Sequence, residues 1–229
     1  MRSVLVLNPN SSPEVTEAIR RAADWVRLPG IVFATEQLDD GPTTIESDDE
    51  HRQATRAVVE AIRERSAGHD GVIIACHGDP GLSEARRLLE VPVLGIGETS
   101  MLAAAAAAPS FGLLTLGPAV VPRKLRQLQA IGLQARCAAV EPTGTGVLHA
   151  IGESADPEPY RVAARAAIAK GAGALVLGCA GMVPVREWLS AEVPVPVVEP
   201  VVATCLAAAG FLASPDGHNP SPARQGWPG

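Results

Sequence analysis

The chain is poor in aromatic residues, in basic charge and in long apolar runs. Phe, Trp and Tyr together make up 3% of its 229 residues, which leaves no material for the stacked aromatic platforms that hold single-stranded nucleic acid. Its 19 Lys and Arg stand against 25 Asp and Glu, a net charge of −6, so the electrostatic footprint of a nucleic-acid or anionic-membrane binder is missing. The longest apolar stretches are Met101–Ala108 and Val201–Ala213, both shorter than the roughly 18–20 residues a bilayer span requires. At the N-terminus Arg2 precedes the run Val4–Leu7, and polar Asn8 follows at once; that is not the pattern of a secretory signal. These absences predict a soluble, cytoplasmic protein whose partner is a small molecule, with no nucleic acid and no membrane.

Cysteine is also sparse. Residues 76, 137, 179 and 205 are the four, too few and too far apart for a disulfide framework or for the close spacing of a zinc site. Cys137 falls in an expected strand and Cys205 on an apolar helix face, so both read as small inert hydrophobes.

Against this background the other two cysteines stand out. Cys76 lies in Gly71-Val-Ile-Ile-Ala-Cys76-His-Gly78 and Cys179 in Gly173-Ala-Leu-Val-Leu-Gly-Cys179-Ala-Gly181. Each frame is a short apolar run, a small residue, the cysteine, one residue and a glycine. A short apolar run before a Gly-rich break reads as a buried parallel strand ending in a loop, and such loops are where ligands bind in α/β sheets.

Strand and helix alternate along the chain. Strands are expected at Val4–Leu7, Ile31–Thr35, Val72–Ala75, Val93–Gly95, Gly112–Leu116, Ala138–Val140, Ala174–Leu177 and Val195–Val198. Ser12-Pro13 supplies an N-cap and a first-turn proline for a helix to about Arg27. Helices are also expected over 47–65, from Asp79-Pro80 to about Leu89, from Thr99 to near Pro109, from Gly117-Pro118 to near Ala130, over 157–170, after Cys179 to about Leu189, and over 200–212. Residues 214–229 are Pro/Gly-rich and expected to be disordered. The order repeats with a period of roughly 100 residues: Leu5-Val-Leu-Asn-Pro9 matches Leu114-Thr-Leu-Gly-Pro118, the cysteine frames match, and Val91-Pro-Val93 matches Val193-Pro-Val195. The expected architecture is therefore α/β, with two pseudo-symmetric lobes, each a small parallel sheet flanked by helices, and an active site in the cleft between them. Lobe 1 takes residues 1–97 plus 200–213, and lobe 2 takes 98–199.

Two thiols facing one cleft suit a particular chemistry. A hydrogen next to a carbonyl can leave as a proton because the planar anion is stabilised by that carbonyl, and reprotonation on the other face inverts the centre. One base and one acid on opposite faces are needed. A thiol serves when its pKa is brought down from about 8.5, and a helix start after each cysteine is expected to do this. A nucleophilic Cys76-His77 pair is an alternative, but it leaves the second frame without a role. The Asn8–Ser12 and Gly78–Gly81 segments also read as simple turns, and Glu46 as a solvated first-turn acid.

The motifs Asn8-Pro-Asn-Ser-Ser12, Gly41-Pro-Thr-Thr-Ile-Glu46, Ala75-Cys-His-Gly-Asp-Pro-Gly-Leu82 and Leu177-Gly-Cys-Ala-Gly-Met182 resemble the hydantoin racemase family of the aspartate/glutamate racemase superfamily. The resemblance implies cofactor-independent, metal-free racemisation of 5-substituted hydantoins or allantoin, with Cys76 and Cys179 as the acid/base pair. It places Asn8 and Asn10 on the first loop, Thr115 on the cleft wall, and the backbone of His77, Gly78, Ala180 and Gly181 around the ring carbonyls. A homo-oligomer is expected. Glutamate racemases are similar but carry polar residues after their cysteines. The small residues here suit a neutral ring better than a zwitterion. The chain departs from the family where an aromatic usually stands at His77, and where a Thr-Thr pair usually occupies Thr115-Leu116. Maleate isomerases, arylmalonate decarboxylases and a non-catalytic small-molecule binding protein are the alternatives.

Overall fold

The computed structural model describes residues 1–150 and 156–213; the segment 214–229, expected to be disordered, lies outside the described residues. The first half runs β1 (Arg2–Asn8), α1 (Pro13–Asp24), β2 (Ile31–Gln37), α2 (Asp48–Arg65), β3 (Gly71–Ile74), α3 (Leu82–Leu88) and β4 (Val93–Gly95). Helix α4 (Ile96–Ala107) leads into the second half: β5 (Phe111–Thr115), α5 (Val121–Ala130), β6 (Cys137–Pro142), α6 (Val147–Ala150), α7 (Glu158–Ala169), β7 (Leu175–Leu177), α8 (Val183–Glu192) and β8 (Val197–Val198). Helix α9 (Pro200–Leu212) follows.

Each half builds a four-stranded, wholly parallel sheet. The orders are β2-β1-β3-β4 and β6-β5-β7-β8, the same arrangement twice, as the internal repeat predicts. In register, Leu7 lies beside Ile74 in one sheet and Leu114 beside Leu177 in the other. The inner strands are buried on both faces, which is why they read as unbroken apolar runs rather than alternating ones. Leu5, Leu7, Ile73, Ile74, Leu113 and Leu114 are fully buried, each worth roughly 2 kcal/mol in removed apolar surface. One apolar cluster runs through both halves, from Val4, Val6 and Ile73 to Leu114, Leu177 and Tyr160. Helix α1 packs against α8 and α9, and α9 packs against α4 and β3, so the two sheets share a core instead of hanging on a linker.

Local signals explain most helix starts. Ser12 caps α1 by accepting the Val15 N–H, with Pro13 in the first turn, and Ser47 with Glu50 forms a reciprocal capping box on α2. Two starts differ from expectation. Helix α3 begins at Leu82, not at Asp79-Pro80, after Gly81 in the left-handed region at φ 73°. Helix α4 begins at Ile96 rather than Thr99. One side chain accounts for both shifts. Asp79, itself at φ 49°, turns away from α3 and accepts the N–H groups of Gly97 (2.9 Å) and Glu98 (2.7 Å) at the start of α4.

Candidate active site

The carboxyl ends of the inner strands β1, β3, β5 and β7 converge on one cleft, whose empty space including its mouth is about 500 Å³. Asn10 reaches it from the loop after β1, Cys76, His77 and Gly78 from the loop after β3, Thr115 and Leu116 from the end of β5, and Gly178, Cys179 and Ala180 from the loop after β7. Ile45, Val120, Arg123, Lys124 and Val147 complete much of the wall. The two cysteines, one from each sheet, thus face the same space.

The glycine two residues after each cysteine acts on its sulfur, by a hydrogen bond at Cys179 alone. The Gly181 N–H donates to Cys179 Sγ at 3.3 Å, and the Gly78 N–H likewise acts on Cys76 to favour its thiolate. The glycine two residues after each cysteine therefore does what a helix start was expected to do. Helix α3 starts too far along the chain to contribute, whereas a 3-10 turn, Ala180–Met182, follows Cys179 directly. Burial dominates the balance: it pushes the Cys76 thiol up against the lowering influence of Gly78 and Lys124, and drives Cys179 up to about 12. The expected lowering of both thiols is thus reversed, because sulfur in an apolar wall loses more hydration than one N–H restores.

Asn8 and Gly181, both named from the sequence, stand behind the cleft wall. Asn8 is fully buried; its amide donates to Asn10 Oδ1 and Thr16 Oγ1, 2.9 Å each, and its Oδ1 accepts the Asn10 N–H at 3.2 Å. It shapes the turn that presents Asn10. Thr115 Oγ1 is buried with no hydrogen-bond partner among the described residues, an orphan on the cleft wall. Leu116, where the resembling family has a threonine, is buried on the same wall. Glu46 is not a solvated acid: its Oε1 accepts the Val147 N–H at 3.1 Å, tying the first half to the second across the cleft.

The sequence reading missed the polar network under Cys76. Lys124 is 3% exposed, and its Nζ donates to His77 Nδ1 at 2.7 Å and to the His77 carbonyl at 2.8 Å. Burial lowers its pKa to about 8, opposed by Cys76 and Asp79. Burial and Lys124 hold the His77 imidazole neutral, well below its usual pKa. Since Nδ1 accepts from the ammonium, Nε2 carries the proton and donates to Ser100 Oγ at 3.3 Å. On the other side, His51 Nε2 donates to the Gly78 carbonyl at 2.9 Å, and Gln127 Nε2 donates to Asp79 at 2.8 Å. A usable signal for Lys124 was present. It sits between Val120 and Leu128 at helical spacing on the buried face of α5, where a lysine has no reason to be unless it has a task.

Two matched α/β halves each bring a cysteine to a shared cleft. The chain belongs to the Asp/Glu/hydantoin racemase family, whose model matches residues 4–208. It is 34% identical over 215 residues to the hydantoin racemase of Paenarthrobacter aurescens, covering 92% of this chain and 91% of that protein. Among solved structures it is similar to an allantoin racemase from Klebsiella pneumoniae, with TM-score 0.87 and 33% identity over 93% of this chain and 88% of that one. An allantoin racemase from Pseudomonas fluorescens gives TM-score 0.86 and 30% identity, with 92% and 90% covered.

Proposed function

We propose that this protein racemises a 5-substituted hydantoin or an allantoin-like cyclic amide by two-base proton transfer between Cys76 and Cys179, without a cofactor, in the cytoplasm and as a homo-oligomer. The observation that carries this reading is the pair of thiols entering one cleft from two related loops. One sulfur, as thiolate, takes the proton from the ring carbon. The electron pair moves onto the neighbouring carbonyl oxygen and the centre becomes planar. The other sulfur delivers its proton to the opposite face and is left as the thiolate. Roles exchange for the mirror-image substrate, so no proton or charge is gained or lost.

The walls fit a small ring with few polar groups. Thr115 offers its unpartnered hydroxyl. Asn10, with Oδ1 already accepting from Asn8 and Ser12, keeps its amide N–H groups for a ring carbonyl. Ile45, Leu116, Val120 and Val147 offer an apolar surface for a 5-substituent. The relatives named for hydantoin and allantoin favour the same ring.

The test is polarimetry on single enantiomers of a hydantoin panel and of allantoin, with maleate and arylmalonates as controls. Decay of optical rotation in the ring substrates alone is the expected result; turnover of maleate or an arylmalonate with every ring substrate inert would overturn the reading. Because two thiols supply all the proton transfer, EDTA is expected to leave the rate unchanged; a loss restored by added metal would contradict that.

A further inference from the structure

We propose that Lys124 is a positioning residue that makes Cys76 the more readily ionised of the two thiols and balances the single negative charge that passes between the two sulfurs in turnover. The inference rests on the two-thiol reading above and adds a residue that neither the sequence reading nor the comparisons assign.

Lys124 is a buried cation on the cleft wall with no carboxylate within ion-pair distance among the described residues. Two of its three donors are committed to the ring and carbonyl of His77, the residue that follows Cys76, so its position is tied to the Cys76 loop. An isolated ammonium in such a place is costly, and its location is explained if an anion appears beside it. The titratable groups that face it are Cys76, His77 and Asp79 from the loop after β3, Cys179 from the loop after β7, Arg123 from its own helix and His51 from α2. His77 is neutral, and His51 is also held below its ordinary value, mainly by burial. Arg123 is already paired with Asp48 at 3.0 Å. The Asp79 carboxylate is committed to Gly97, Glu98 and Gln127 and acts on Cys76 against a thiolate. Beyond Asp79, whose charge also acts on Lys124, the groups left to act as an anion beside it are the thiols.

The geometry also orders the two. Lys124 is anchored through the residue next to Cys76, and Cys76 is the sulfur that acts on it most strongly, ahead of Cys179. Cys76 is therefore the sulfur that ionises first, while Cys179 stays protonated. Abstraction at Cys76 moves the negative charge to the substrate oxygen and then to Cys179, with the cation fixed throughout.

The test reads the thiols directly and needs no substrate, so failure on hydantoins leaves it intact and its own failure leaves the two-base reading standing. Iodoacetamide labelling of Cys76 and Cys179 is followed by peptide mass spectrometry across pH 6–10 in wild type, Lys124→Gln, Lys124→Met and Lys124→Arg, with melting curves as the check of folding. The glutamine keeps N–H donors for His77 but loses the charge. In wild type, Cys76 is expected to label at lower pH than Cys179. In the glutamine and methionine variants the Cys76 midpoint is expected to rise by about one pH unit, roughly a tenfold slower labelling on the acid side, while Lys124→Arg stays near wild type. A purely structural lysine would slow activity without moving that midpoint. An unmoved Cys76 midpoint in a folded glutamine or methionine variant, or Cys179 labelling first in wild type, would overturn the assignment.

Discussion

The two cysteine loops share a strand order and a glycine two residues on, yet their surroundings differ. Around Cys76 stand His51, His77, Asp79, Lys124 and Gln127, joined by hydrogen bonds. Around Cys179 stand Ala180, Met182, Val183 and the Thr145–Tyr160 pair. Helix capping shows the same contrast. Helix α4 is capped from a distance by Asp79 of the first cysteine loop, whereas α9 is capped locally by Glu199, which accepts Val201 and Val202 N–H groups at 3.1 and 2.7 Å. A repeat thus preserves the backbone that places two thiols while the electrostatics around them differ, the second half lending Lys124 and Gln127 to the Cys76 loop. The Cys76 loop is coupled to the start of α4 and to a buried cation from α5; the Cys179 loop leaves its thiol in an apolar wall.

The sharpest way to break this comparison is steric. A Cβ on Gly97 would sit 2.3 Å from the His77 carbonyl and 2.7 Å from Asp79 Oδ2, and one on Gly178 would sit 2.4 Å from the Leu114 carbonyl. Gly97→Ala is expected to displace the Cys76 loop and Gly178→Ala the Cys179 loop, each costing about 100-fold in kcat/KM. Gly97→Ala alone should also alter Cys76 alkylation, and equal alkylation changes at both sulfurs would erase the distinction between the loops.

Next comes the pH dependence of stability. Burial raises Glu199 to about 7 in the folded chain, so its neutral form is the one the fold prefers. The stability this contributes is complete below the unfolded value near pH 4.5 and is lost as pH rises to about 7, on the order of 3 kcal/mol. Thermal melts from pH 4.5 to 8 should show that decline shrink in Glu199→Gln; an identical decline would remove Glu199 as its source. Asp79, raised to about 6 by burial, has the same sign over a lower window, from about pH 4 to 6.

The smallest effect belongs to the wall shared by both loops. Thr115→Val keeps the shape and removes the unpartnered hydroxyl, so KM should rise about tenfold with little change in kcat. A lowered KM would mean that the hydroxyl opposes the ring.

The strands, their grouping into two matching sets and the placing of both thiols were legible because they rest on local apolar runs and glycines. So was Ser12, whose cap is made three residues away. The network beneath Cys76 was not, because its bonds span the chain: Lys124 meets His77 47 positions away and Gln127 meets Asp79 48 away. Asp79-Pro80 carries the residue types of a local cap, and the misreading arose because its carboxylate finds a stronger partner in the exposed N–H groups of α4. Glu46 misled in the same way, its acceptor serving Val147 in the opposite half.

The most direct test of the central claim is solvent deuterium incorporation at C5 of single-enantiomer hydantoins in D2O, recorded with optical rotation for wild type, Cys76→Ser and Cys179→Ser. The account predicts exchange coupled to racemisation in wild type, and a loss of about 10²–10⁴-fold in racemisation in each variant. Racemisation retained by either serine variant, or racemisation without deuterium uptake, would contradict a proton passed between two thiols.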